Sequence, residues 1–318
     1  VMEDWNELLE DETNPLFNRA LNGIYAPGST YKPVVAMAAL CEGIITPNTT
    51  ITDELEFTKY ADQGYAPRCW IYGKGSHGTI NVTGAIEVSC NYFFYTIGDF
   101  LQIDRINEYT RKFGLGEPTG IELVESTGTL TTEEYKMKLF GEPLYLGDTL
   151  QAAIGQGWHQ FTPLQLANYI ATLANGGTRY SCSILKGVRN YGYSESLFDR
   201  EKQVLGTVDA KPEYFQAIWD GMYAVANSPM GTAYSTFGNY PVKVAAKTGT
   251  AQMGEGSTNN AIFVCYAPAE NPEIAVCVAI EKGGAGSAVA EVARNVLDYY
   301  FSFKNSSVTI ETEMSLLK

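Results

Sequence analysis

An α+β fold is what this sequence predicts, on three observations. Residues 34–41 are apolar almost all round and stop just before Gly43, the pattern of a buried helix with a glycine cap. From about residue 44 to 205, helical patterns alternate with Gly-rich loops, so this part reads as mostly helical. Beyond about residue 206, a helical stretch gives way to strand-like runs joined by a turn, and an amphipathic helix closes the chain. Residues 1–43 and 206–318 therefore form an α/β part around an antiparallel sheet flanked by helices, and 1–318 reads as one domain.

Taken in order, Pro27-Gly28 supply a tight entry turn, Ser29 opens the buried helix, and Pro33 is tolerated in its first turn. Helical stretches are expected over 83–88, 91–113 and 163–175, then over 212–226. Strands are expected over 242–246, 261–266 and 274–280. The last two flank Pro268-Ala269-Glu270-Asn271-Pro272, a hairpin turn that brings Cys265 and Cys277 nearly opposite each other as buried thiols. The closing helix, 288–300, directs Val289, Val292, Val296 and Leu297 towards one face.

With 318 residues and 45% hydrophobic content the chain can bury a substantial core. Its formal charge of −14, without a run of Lys or Arg, excludes a sequence-independent grip on nucleic-acid phosphates. No stretch approaches the ~18 apolar residues of a membrane span. The opening Val1-Met2-Glu3-Asp4-Trp5 lacks the features of a signal peptide and reads as the middle of something, so a catalytic piece of a longer protein is expected.

Chemistry concentrates in three short motifs. A serine hydroxyl becomes a nucleophile when a neighbouring base takes its proton, and a lysine is such a base where burial or positive neighbours lower its pKa. Ser29 and Lys32 stand three residues apart at a helix start, on one face, where free backbone N–H groups stabilise negative charge. The same spacing recurs at Ser183 and Lys186 and at Ser315 and Lys318, without the Pro-Gly entry or the buried helix. Ser89-Cys90-Asn91 interrupts two helical stretches, and Lys247-Thr248-Gly249-Thr250 ends a strand. A second Ser-x-Asn, at Ser257-Thr258-Asn259, follows the lysine motif instead of preceding it.

In this order the three motifs resemble the active-site set of the penicillin-binding proteins and serine β-lactamases. The flanks Asn14 to Ala20, Ala26-Pro27-Gly28, Gly155-Gln156-Gly157-Trp158 and Thr162 to Ala167 extend the likeness to class B, monofunctional penicillin-binding proteins. The Asn-Gly-Ile-Tyr approach is most similar to the elongation type, penicillin-binding protein 2. The resemblance implies a peptidoglycan D,D-transpeptidase that β-lactam antibiotics acylate and that needs no cofactor for catalysis. Ser29 would attack the D-Ala-D-Ala terminus of a stem peptide with Lys32 as general base. Ser89 would relay the proton to the leaving nitrogen, and Asn91 would bind the substrate backbone. Lys247 would supply charge near the substrate carboxylate, Thr248 and Thr250 hydroxyl donors, and Gly249 room for the acyl chain. The N–H groups of Ser29 and Thr250 would form the oxyanion hole. The alternatives are a D,D-carboxypeptidase or serine β-lactamase, and a penicillin-sensing receptor domain. The family further implies the extracytoplasmic face of a bacterial membrane, an N-terminal anchor, and a membrane glycosyltransferase as partner through that missing N-terminal region.

A metal site is expected beside the second motif. Cys69, His77 and Cys90 are ligand types that zinc prefers, although their spacing is not the short paired-cysteine knuckle. Asp62 is the expected fourth ligand, with Asp53 in reserve. A structural zinc there would brace the loop bearing Ser89 and Asn91. The alternative is that both cysteines are free or disulfide-linked and His77 is a surface residue. The other histidine, His159, is expected in a loop lining the cleft, with a packing or substrate-rim role.

Overall fold

The computed structural model describes residues 2–252 and 257–305. Its sheet has three antiparallel strands in the order Ala245–Ala251, Asn260–Ala267 and Ile274–Ile280, with Lys247 opposite Val264 and Phe263 opposite Val278. The middle strand is buried along its whole length, as a strand covered on both faces must be. Helices Pro163–Ala174, Pro212–Asn227 and Ala290–Asn305 pack on this sheet. The helical part contributes Val82–Glu87, Asn91–Lys112, Glu133–Phe140 and Leu146–Ala153, together with short two-stranded ladders that the sequence reading did not anticipate. Among the described residues no helix is long and apolar enough to cross a membrane.

Local chemistry explains where the helices begin. Thr162 Oγ1 accepts from Gln165 N at 3.1 Å while Gln165 Oε1 accepts from Thr162 N at 3.0 Å, a reciprocal cap followed by Pro163 at the first helical position. Asn81 caps its helix by accepting from Gly84 N at 3.0 Å. Cys90 caps the long helix through Sγ, which accepts from Phe93 N at 3.4 Å. That cap sets the direction in which Ser89 and Asn91 leave the loop.

Several expected boundaries shift. The first strand is Ala245–Ala251, not 242–246, so the lysine motif lies in the middle of the strand. Ser29 sits in the 3-10 turn Gly28–Tyr31, and the α-helix itself runs Lys32–Cys41. Val289, which ends the 3-10 turn before the last helix, and Ala290, Ala293 and Leu297 within it are buried, whereas Val292 and Val296 are exposed. Cys265 pairs with Val276 and Cys277 with Val264, so register offset by one residue turns the two thiols to opposite faces. Ser315 and Lys318 lie outside the described residues.

Candidate active site

The cleft begins with a close approach of two backbones. Gly28 has φ of +54°, and a Cβ there would lie 2.7 Å from Thr250 O and 3.0 Å from Thr250 N. A Cβ on Gly249 would meet Pro27 O at 2.6 Å. Glycine at both positions thus lets the nucleophile turn lie flat against the strand. Gly28 N donates to Gly155 O at 2.8 Å, which ties the turn to the Gly155-Gln156-Gly157 loop as well. Alternation along the strand turns Gly249 and Lys247 towards the nucleophile turn and leaves Thr248 and Thr250 on the cleft wall.

Ser29 is half-buried and lines a cavity of about 870 Å³ together with Ser89, Asn91, Thr248 and Thr250. Lys32 is fully buried directly behind it. The Lys32 ammonium donates to Ser89 O at 2.8 Å, Asn91 Oδ1 at 2.7 Å and Ser89 Oγ at 3.2 Å, so its hydrogen bonds knit the first motif to the second. Among the described residues no hydrogen bond joins Ser29 Oγ to Lys32, whose bonds go to Ser89 and Asn91 instead. Burial pulls Lys32 down to about 8, against the opposing pull of Cys90 and Cys69. A base poised there is suited to taking a hydroxyl proton.

Ser89 is held in a left-handed conformation, φ +57°, which costs a non-glycine residue about 1 kcal/mol or more. Its carbonyl accepts from Trp70 Nε1 at 3.1 Å as well as from Lys32, so two side chains fix the strained residue.

Lys247 is fully buried, its Nζ donates to Thr248 O at 3.3 Å, and it does not line the cavity. Burial, then the neighbouring Lys32, holds its pKa well below the ordinary lysine range. Two lysines thus share one buried neighbourhood, and from this strand it is Thr248 and Thr250 that line the cavity wall. Thr232, which no motif announces, shares a 2.7 Å hydrogen bond with Thr248 Oγ1. Gln156 spans the strand edge, donating to Thr250 O at 2.8 Å and accepting from Gln252 N at 3.2 Å. No carboxylate lines the cavity among the described residues.

His159 lies in a loop but is fully buried and does not line the cleft as expected, which leaves the packing role of the two. Its Nδ1 accepts from Thr131 N at 3.1 Å, and its Nε2 faces Tyr31 OH at 3.4 Å. Tyr31 OH in turn hydrogen-bonds Thr110 Oγ1. This chain supports the nucleophile turn from behind, and burial depresses the His159 pKa to about 3.

On the far side of the Ser89 loop, Asp53, Cys69, His77 and Cys90 bring one ligand atom each to within 4.8 Å of one another. Asp62 is not among them; it is exposed on the short turn Ala61–Gln63. Asp53 takes its place because the ladder pairing Ile51 with Ile80 and Thr52 with Thr79 brings residue 53 beside 77. Asp53 Oδ2 lies 2.7 Å from His77 Nδ1, which lies 3.5 Å from Cys69 Sγ, and the two sulfurs are 3.9 Å apart as free thiols. Hydrogen bonding from Cys90 lowers the Cys69 pKa and raises that of Cys90, so the pair shares its first proton loss at Cys69.

Residues 3–298 match the family model of the penicillin binding protein transpeptidase domain. Peptidoglycan D,D-transpeptidase MrdA of Escherichia coli K12 is 37% identical over 320 residues, covering 96% of this chain and 50% of that protein. Penicillin-binding protein 2 of Pseudomonas aeruginosa, solved in complex with WCK 5153, superposes with a TM-score of 0.83 at 32% identity, covering 94% of this chain and 66% of that one. A chain solved for the structural coordination of polymerization and crosslinking by a peptidoglycan synthase complex gives 0.83 at 34% identity, over 96% and 51%. The chain thus spans about half the length of the curated relatives it matches. A matched family model over nearly all of the chain, on a cleft where the three motifs converge, means that this chain belongs to the penicillin-binding protein transpeptidase domain family, and within it is similar to the penicillin-binding protein 2 branch.

Proposed function

We propose that this chain performs the D,D-transpeptidation that cross-links peptidoglycan stem peptides. The observation that carries this reading is the single cavity where Ser29 meets Ser89, Asn91, Thr248 and Thr250, with Lys32 buried behind. Ser29 Oγ attacks the carbonyl between the last two D-alanines while Lys32 takes its proton. The N–H groups of Ser29 and Thr250 hold the oxyanion, each donor worth about 3 kcal/mol. The C–N bond then breaks, Ser89 relays the proton to the departing D-alanine nitrogen, and an ester remains on Ser29. A neighbouring stem's amine attacks that ester, its proton returns through Lys32 to Ser29 Oγ, and the cross-link is released.

Thr248 and Thr250 receive the terminal carboxylate, and Asn91 the peptide backbone. An arriving carboxylate favours the charged form of Lys247 that burial and Lys32 oppose, so substrate and proton bind together. A β-lactam offers the same carbonyl in a strained ring. Among the described residues no carboxylate lines the cavity wall to activate water, which favours a lasting ester and so a transpeptidase over a β-lactamase or carboxypeptidase.

We also propose a structural zinc on Asp53, Cys69, His77 and Cys90. Tetrahedral zinc with bonds of about 2.0–2.3 Å holds its ligand atoms about 3.3–3.8 Å apart, close to the 3.5 and 3.9 Å separations at Cys69, whereas Asp53 and His77, hydrogen-bonded at 2.7 Å, would part by about 0.6 Å to ligate. His77 Nδ1 faces the cluster, and its Nε2 is buried without a partner. The ion would brace the loop carrying Ser89 and take no part in acyl transfer. The whole protein, on this reading, works outside the cytoplasmic membrane in cell elongation, anchored and joined to a membrane glycosyltransferase through a region N-terminal to this chain.

Intact-protein mass spectrometry with a penicillin tests the acyl-enzyme: one adduct on the wild type, none on Ser29→Ala, and cross-linked muropeptides from the wild type alone. An adduct that persists on Ser29→Ala refutes the assignment.

A further inference from the structure

Beside the catalytic cavity lies a second one of about 550 Å³ that contains none of the three motifs. A hydrogen bond from Gln151 Nε2 to Tyr65 OH, 2.8 Å long, joins two side chains that line both cavities, so one layer of side chains divides them. Tyr60, Tyr145 and Trp158 form the other aromatic walls. The space exists because Gly147 has no side chain: a Cβ there would lie 3.3 Å from Tyr65 Cζ. Trp158 is fixed by Phe140, with ring centroids 4.7 Å apart, and by Thr129 Oγ1, which donates to Trp158 O at 2.7 Å.

The chemistry of the walls selects among ligands. Asp148, the one charged residue among the described residues that line this cavity, is already paired. Lys136 lies 2.6 Å from Asp148 and sits over the Tyr145 ring at 4.0 Å, and Lys59 pairs with Asp99, which also accepts from Tyr60 OH at 2.6 Å. An ionic ligand therefore finds no uncompensated partner here, and a second ammonium would meet Lys136. What remains is aromatic surface with the amides of Gln63 and Gln151 at its rim. That combination suits a neutral ring with apolar C–H faces and hydroxyl or acetamido groups at its edges.

We infer that this cavity is a subsite for an N-acetylated pyranose of the glycan strand. The inference rests on the acyl-transfer reading of the neighbouring cleft: a stem peptide reaching Ser29 is attached to a sugar, and this cavity is separated from the cleft by one layer of side chains. The sugar belongs to the donor strand, whose stem forms the ester, or to the acceptor strand, whose amine resolves it.

The test uses the trisaccharide of β-1,4-linked N-acetylglucosamine, with saturation-transfer NMR on wild type, Trp158→Ala and Tyr145→Ala. Tyr145 is 55% exposed, so its variant keeps the test valid if loss of Trp158 disturbs folding. The trisaccharide is expected to bind the wild type at millimolar concentration and about tenfold more weakly to either folded variant. No binding to wild type, or equal binding to wild type and Tyr145→Ala, overturns the subsite. With uncross-linked peptidoglycan strands, a donor sugar makes the variants slow ester formation by strands relative to that by penicillin. An acceptor sugar leaves that ratio alone and shifts the ester from cross-link towards hydrolysis. Neither change also overturns it. If penicillin does not acylate wild-type Ser29, the acyl-transfer reading has failed instead.

Discussion

Replacing Gly28 with alanine should disable the nucleophile through its backbone alone. The new Cβ would stand 2.7 Å from Thr250 O, whereas carbon and oxygen normally keep roughly 3.3 Å apart, so the turn and the strand must separate by about 0.6 Å. The left-handed φ adds about 1–2 kcal/mol that glycine does not incur. Oxyanion donors work at about 2.7–3.1 Å, and losing one costs roughly 10²–10³ in rate, so acylation should fall by about that factor. Folding should weaken too, with melting a few degrees lower. Fluorescent-penicillin acylation kinetics, alongside circular dichroism melts, measure both. Acylation within threefold of wild type in a folded Gly28→Ala protein would refute the proposed closeness of Ser29 and Thr250 as the source of the oxyanion site.

Three further outcomes follow from the surrounding contacts. Because the His159 pKa falls from its ordinary 6.5 to about 3 on folding, the unfolded chain binds the extra proton, and stability from this group is intact above about pH 6.5 and lost below it. The urea stability of wild type relative to His159→Gln should therefore drop by about 2 kcal/mol between pH 7.5 and pH 5, and a pH-independent difference would sink the buried-neutral assignment. Native mass spectrometry should find zinc on wild type and Asp62→Ala but not on Asp53→Ala, whose melting temperature also falls; retention of zinc by Asp53→Ala would remove that residue from the ligand set. Thr232→Val should slow penicillin acylation about fivefold, the worth of one hydrogen bond to Thr248, and wild-type kinetics would show that Thr232 does not position the wall.

What the sequence made legible was local. Ser29 and Lys32 are three residues apart, Ser89 and Asn91 two, and Lys247 to Thr250 are contiguous, so spacing alone places each set on one turn or strand. The fourth member of the Cys/His/Asp cluster was not local: Asp53 reaches His77 because Ile51 pairs with Ile80 across a loop, and no periodicity records that pairing. Asp62, seven residues from Cys69 in sequence, was preferred to Asp53 for that place. The first strand was misplaced because Ala245, Ala246, Gly249 and Ala251 are too small to write an alternating pattern, while the β-branched residues Val242 and Val244 just ahead of it imitate one. His159 was open to a packing or a rim role because it follows the Gly155-Gln156-Gly157-Trp158 loop; its burial follows from packing between Tyr31 and Phe161, residues 128 and 2 positions away. Thr232 had no signal at all, since a lone hydroxyl acquires its meaning only from Thr248 across the fold.

The Ser89 loop shows how the cluster of Asp53, Cys69, His77 and Cys90 bears on the catalytic cleft. Ser89 must keep φ at +57° so that its hydroxyl faces the cavity and its carbonyl faces Lys32, and left alone it would relax by about 1 kcal/mol or more into an ordinary conformation. The residue that follows, Cys90, is both the cap of the helix Asn91–Lys112 and a member of the cluster with Asp53, Cys69 and His77. Trp70, adjacent to Cys69 in sequence, holds the Ser89 carbonyl from outside. Cap, cluster and indole therefore act on two consecutive residues, Ser89 and Cys90, whose geometry decides where Lys32 can reach. A perturbation of Cys69 or His77 should consequently lower the melting temperature and also register at Ser29 as a change in penicillin acylation rate, because the strained residue depends on those groups.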